Sequence, residues 1–260
     1  MKRLIYQVYV GKKSKLYNHC TDSVKEYAAR IGADYIRQKT PILLIRPDPF
    51  STNRSKEAVE RLGYLPIYEK ENAFTYLKTY DQVAIIDSDV WIRPGSPNVF
   101  DAVDPSVDFA GVVEREMPIL DWYSRKIANY SKMQYSNIRS VDWKWDKRGG
   151  EFFNMGVMIL NKSIDKFLND ETPQQFLRRP RFKAFIDGQG PWKWSTDQTL
   201  LNTWIKEESM KLQHLDYQWN ALYTAVKPSA IKKSHFVHFF LKDKLPQRGE
   251  NVEELMKNVN

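Results

Sequence analysis

The chain has a single cysteine, Cys20, among 260 residues. No internal disulfide can form, and a zinc site built on several thiolates is excluded. There is no apolar run of 18 residues, so no segment reads as a transmembrane helix. The opening Met1-Lys2-Arg3-Leu4-Ile5-Tyr6-Gln7 lacks the apolar stretch of a signal peptide, which leads us to expect a cytoplasmic protein. Low-complexity tracts and internal repeats are missing as well. With 42% hydrophobic and 28% charged residues the composition is that of a folded globular chain, long enough for one substantial core. We therefore expect a single domain over residues 1–260.

What the chain has in excess is positive charge and aromatic rings. Forty Lys and Arg stand against 32 Asp and Glu, a net charge of +8, and aromatics make up 13% with eight Trp. Such a surface suits polyanions or nucleotide phosphates, single-stranded nucleic acid, or sugars, whose C–H faces pack on indole rings. Composition alone does not separate these classes.

The order of patterns indicates an α/β fold. Leu4–Val10 is β-branched and aromatic and ends at Gly11, a buried first strand. Thr21-Asp22-Ser23 offers caps for a helix over residues 24–31, stopped by Gly32. Residues 33–37 can form a second strand, and 40–53 read as loop. Helical patterns follow at 55–62 and 73–80. Gln82-Val83-Ala84-Ile85-Ile86 is a continuous apolar strand. Further strands are expected at 107–113, 157–160 and 234–240. A helix over 195–205 is capped by Ser195 or Thr196, and a polar terminal helix covers 250–260. Strands alternating with helices predict a mainly parallel sheet flanked by helices, with ligands at the strands' carboxyl ends. Residues 115–151 break the alternation, mixing Trp122, Tyr123, Tyr130, Tyr135, Trp143 and Trp145 with eight Lys and Arg. A connection this long reads either as a lid-like insertion or as surface helices packed on the core. It divides the domain into two halves, 1–114 and 152–260, which the family resemblance given below assigns to nucleotide binding and to the acceptor and metal.

Asp87-Ser88-Asp89 directly follows the apolar strand. A bare D-x-D arises by chance in a chain of this size, so its position carries the signal. Two carboxylates at the end of a buried strand repel each other and call for a cation. Oxygen ligands suit Mg²⁺ or Mn²⁺, ions that commonly bridge to substrate phosphates.

Tyr80–Val90 resembles the D-x-D strand of GT-A fold glycosyltransferases. Four later segments resemble, in order, those of glycosyltransferase family 8, the glycogenin-like and bacterial lipopolysaccharide galactosyltransferase group. They are Phe153-Asn154-Met155-Gly156-Val157-Met158, Asp197-Gln198-Thr199-Leu200-Leu201-Asn202, Trp219-Asn220, and Val237-His238-Phe239 with Lys244 six residues beyond the histidine. The family's tail glycine is replaced here by Leu241, and its Pro-Trp by Leu245-Pro246.

The resemblance implies a metal-dependent hexosyl transfer from a UDP-sugar, UDP-glucose or UDP-galactose, to a hydroxyl acceptor. The acceptor is open among glycan, lipid and protein. It implies that Asp87, Asp89 and His238 hold Mn²⁺, with Mg²⁺ as the alternative. Lys244 meets the diphosphate. Tyr6, Val8 and Ser88 border the nucleotide, as does Lys70, one residue out of the family's register. Asn154, Asp197 and Gln198 line the sugar and the reacting carbon. Taken singly, each residue also has a plainer role. His238 lies in an apolar strand, where a satisfied core imidazole is usual. Asp197 suits a helix first turn, and Lys244 lies in a solvated Lys-rich stretch. Two other functions compete. A sugar-phosphate nucleotidyltransferase calls for a glycine-rich loop after the first strand, where Gly11-Lys12-Lys13-Ser14-Lys15 has one glycine. A basic nucleic-acid-binding module has no use for Asp87 and Asp89, and we expect no nucleic-acid partner.

Overall fold

The structure is a computed structural model and describes residues 1–11, 13–55 and 63–259. Strands Arg3–Val8 (β1), Asp34–Gln38 (β2), Gln82–Ile86 (β3), Phe109–Val113 (β5), Phe153–Asn161 (β6) and Leu212–His214 (β7) build one six-stranded sheet in the order β2-β1-β3-β6-β5-β7. Pairs β1–β2, β1–β3 and β5–β7 are parallel, whereas β6 runs antiparallel to both its neighbours. A small second sheet joins Val90–Ile92 (β4), Phe236–His238 (β9) and Ala221–Leu222 (β8). Pairing of Val90 with His238 in this sheet lays the end of the D-x-D turn against the histidine.

Every residue of β3, β5 and β6 is buried, as expected of strands covered on both faces. Helix Lys15–Arg30 covers one side, burying Leu16, Cys20, Val24, Tyr27 and Ala28 at helical spacing. It begins well before the expected residue 24. Thr21 and Ser23 do not cap it; their hydroxyls turn back onto the carbonyls of Asn18 and Cys20 inside the helix. The expected helix 73–80 is instead a 3₁₀ stretch, Pro66–Lys78, opened by its proline. The late strand is trimmed to Phe236–His238, and strands β4, β7 and β8 had no expectation. The helix expected at 55–62 falls almost wholly on residues outside the described ones.

Residues 115–151 contain a helix, Asp121–Tyr135, whose Tyr123, Ile127 and Tyr135 are buried. Trp143 stacks on Tyr135 at 4.2 Å between centroids. Among the described residues no helix is long and apolar enough to cross a membrane.

Candidate active site

A cavity of about 380 Å³ opens at the carboxyl end of β3. Its lining includes Asp87, Asp89 and His238 on one side and Lys70, Asn154, Asp197 and Gln198 deeper in. Ligand atoms of Asp87, Asp89 and His238 lie within 4.8 Å of one another. Two carboxylates and an imidazole at that spacing fit one divalent cation, and the mixed oxygen and nitrogen set favours Mn²⁺ over Mg²⁺.

A chain of amides aims the histidine. Nδ1 of His238 lies 3.1 Å from Asn220 Oδ1, an acceptor, so Nδ1 carries a proton and Nε2 is the ring nitrogen turned toward the carboxylates, 3.2 Å from Asp89. The Asn220 amide donates to Asn154 Oδ1 at 2.8 Å, and the Asn154 amide to Glu114 Oε2 at 2.9 Å. Glu114 also accepts from the Tyr123 hydroxyl. Burial lowers the His238 pKa, but Asp89 beside it outweighs that and holds it above the usual imidazole value. Burial likewise lifts Glu114 above the usual carboxylate range, against the pull of its two donors.

Gly156 lies where a side chain cannot fit. A Cβ there would come within 2.3 Å of His238 Cε1 and 2.5 Å of Nδ1. The Asn202 amide bridges helix Asp197–Glu207 to β6, bonding the amide and carbonyl of Phe153 and the carbonyl of Gln198. Thr196 caps that helix through the Gln198 amide, which frees the Asp197 carboxylate to turn inward.

Asp197 is 2% exposed and makes an ion pair of 2.7 Å with Lys70, whose ammonium also sits 2.8 Å from Asp87 and donates to the Met155 carbonyl at 3.0 Å. Burial penalises the ammonium, yet Asp197 and Asp87 together raise its pKa above the ordinary lysine value. Asp197 is pushed up by burial and by Asp87, with Lys70 offsetting part of the rise.

Other expected residues lie outside this lining. The Tyr6 hydroxyl is held by Gln38 and by the Asn72 amide. Val8 packs against the core at the end of β1. Ser88 is half-buried in the turn between the two acids. Lys244 is drawn onto the Trp122 ring, 3.3 Å from its centroid, and does not border the cavity. In the other direction the cavity wall holds Glu114, Tyr123, Lys126, Ile127, Tyr130, Ile67 and Trp194, none of them expected as site residues. Glu114 carried a readable signal. Val112-Val113-Glu114 repeats the pattern of an apolar strand ending in an acid that singled out Asp87.

No protein-family model matches the chain, and no curated protein matches it. Solved structures do. The galactosyltransferase LgtC, solved with donor and acceptor sugar analogs, superposes with a TM-score of 0.57 over 98% of this chain and 95% of its own, at 12% identity. Mouse xyloside xylosyltransferase 1 gives 0.51 over 95% and 100% at 13% identity. WbbM, a bifunctional glycosyltransferase, gives 0.54 over 99% of this chain and 49% of its own at 12% identity. The chain has the GT-A glycosyltransferase fold. Within that fold the segments similar to family 8 lie together: the D-x-D turn, the Asn154 segment, Asn220 and His238 meet in one hydrogen-bonded cluster, with Asp197 and Gln198 beside it.

Proposed function

We propose that the protein is a divalent-metal-dependent hexosyltransferase that takes UDP-glucose or UDP-galactose as donor and a hydroxyl as acceptor. The observation that carries this is the meeting of Asp87, Asp89 and His238 with Asp197, Lys70 and Gln198 around one cavity. Asp87, Asp89 and His238 would hold Mn²⁺, which when bound neutralises charge developing on the departing diphosphate. Asp197 and Gln198 would bind sugar hydroxyls and fix the anomeric carbon, with Lys70 holding the Asp197 carboxylate in place. Asn154 would act through Asn220, keeping the histidine's Nε2 free. In the transfer, the bond from the anomeric carbon to the diphosphate oxygen breaks and UDP leaves with the electron pair. The acceptor oxygen bonds to that carbon, and its proton passes to the departing phosphate.

Tyr6, Val8 and Ser88 would border the nucleotide from the ends of β1 and β3. Lys244 would reach the diphosphate by leaving the Trp122 ring, and residues 115–151 would close over the acceptor side. The proposal is tested by calorimetric titration of UDP with and without Mn²⁺. Tight binding that needs the metal, and loses that need in Asp89→Ala, is expected. UDP affinity independent of Mn²⁺ and equal in the variant would overturn it.

A further inference from the structure

The indole of Trp194 is 63% exposed, although the chain on either side of it is anchored. Trp192, two residues before, donates its indole N–H to the Gln134 carbonyl at 2.8 Å and packs edge-on against Phe185. Ser195, the next residue, is 1% exposed, and its carbonyl accepts from the Arg54 guanidinium at 3.0 Å. A large ring is thus left largely exposed between two anchored residues, with the Lys193 ammonium 5.3 Å from its centroid. It lines the same cavity as Asp197 and Gln198, and so does Ile67, 36% exposed on the 3₁₀ stretch Pro66–Lys78.

We infer that Trp194 is the platform for the acceptor, and that the acceptor is a pyranoside. The inference rests on the proposed glycosyl transfer. At about 380 Å³ the cavity is near the lower limit of small-molecule sites. With the nucleotide placed against Tyr6, Val8 and Ser88, outside this lining, the cavity is left to the donor's sugar and the acceptor. A pyranose ring offers one face of C–H groups to an indole while its hydroxyls point around the rim, one of them inward to the reacting carbon. Among the described residues the other exposed large hydrophobic side chains, such as Phe50, Met133 and Trp145, do not line this cavity.

The test uses the full-length protein with UDP and Mn²⁺, and methyl β-D-galactopyranoside and methyl β-D-glucopyranoside as probes. Saturation-transfer NMR is expected to mark the C–H protons of one ring face. Trp194→Ala should weaken probe binding about tenfold or more, the worth of a stacked aromatic contact, and Trp194→Phe should restore part of it. UDP affinity in the presence of Mn²⁺, unchanged in both variants, shows that the fold and donor site are intact. Probe binding that survives Trp194→Ala, or no binding of either pyranoside to protein that binds UDP, overturns the inference. Failure of UDP to bind the unaltered protein would instead count against the glycosyl-transfer reading itself.

Discussion

The ammonium of Lys70 stands between two carboxylates from distant parts of the chain, Asp197 at 2.7 Å and Asp87 at 2.8 Å. One residue is placed by the 3₁₀ stretch Pro66–Lys78, one by the cap at Thr196, and one by the end of β3. The pairing ties the sugar-side acid to the metal-side acid through one buried cation. It also leaves the cluster with more acids than bases, since Glu71 adjoins the same group.

Removing that cation should be costly. In Lys70→Met, Asp197 and Asp87 lose their shared partner, and Asp197 is almost wholly buried. Breaking one side of a buried ion pair typically costs about 3–5 kcal/mol. Urea denaturation at pH 7.5 is expected to show a loss of that order. The loss should shrink as the pH is lowered, because Asp197, already lifted by burial, is protonated more readily once the ammonium is gone. A loss under about 1 kcal/mol at pH 7.5 would mean that the cluster does not depend on the ammonium.

Much of this arrangement could be read from the residues, for identifiable reasons. β3 was legible because a strand buried on both faces shows as an unbroken apolar run, and Asp87 interrupts it abruptly. The helix over residues 197–207 was legible because Thr196 is a good cap. The start of the first helix was not, because it follows directly on Gly11-Lys12-Lys13-Ser14-Lys15, a polar stretch that resembles a loop. Tyr123 was missed, and Glu114 passed over despite the apolar run before it, because their role lies in a side-chain hydrogen-bond chain that ends at His238, more than a hundred residues further along. Lys244 was placed by its spacing from the histidine, and spacing does not reveal that Trp122 lies within its reach. The sequence holds eight tryptophans, and nothing in it tells which one is exposed at a cavity mouth.

Gly156 offers a test of how closely the histidine must be held. In Gly156→Ala the new methyl would overlap the imidazole of His238 at 2.3 and 2.5 Å, so the ring must move. The ring has little room, being fixed by Asn220 on one side and Asp89 on the other. Overpacking of this kind costs about 1–3 kcal/mol. The larger effect should fall on the site, because a displaced Nε2 no longer meets the two carboxylates. Calorimetry should show the Mn²⁺-dependent part of UDP binding reduced at least about tenfold, as for lost orientation of a metal ligand. An alanine variant with unchanged metal-dependent affinity would show that His238 is not a ligand.

Glu71 should make stability depend on pH in a direction opposite to that of most acids. Its side chain is 1% exposed, and neither carboxyl oxygen has a hydrogen-bond partner among the described residues. Burial first, and then Asp197, push its pKa well above the ordinary 4.5, with Lys70 opposing. The folded state therefore keeps the proton at a pH where the unfolded chain has released it. Stability attached to this group is present below pH 4.5 and is lost as pH rises from there toward the folded-state pKa. Glu71→Gln places a neutral group of the same shape at the site and removes the titration. Below pH 4.5 the variant and the parent should be nearly equally stable. Above it the variant should gain on the parent by about 1.4 kcal/mol for each pH unit inside the window, and then level off. Urea unfolding of both proteins at pH 4, 6 and 8 measures this, and the other carboxylates cancel because they titrate in both. Parallel stability curves, or a glutamine variant less stable than the parent at pH 8, would show that Glu71 is ionised in the fold and held there by Lys70.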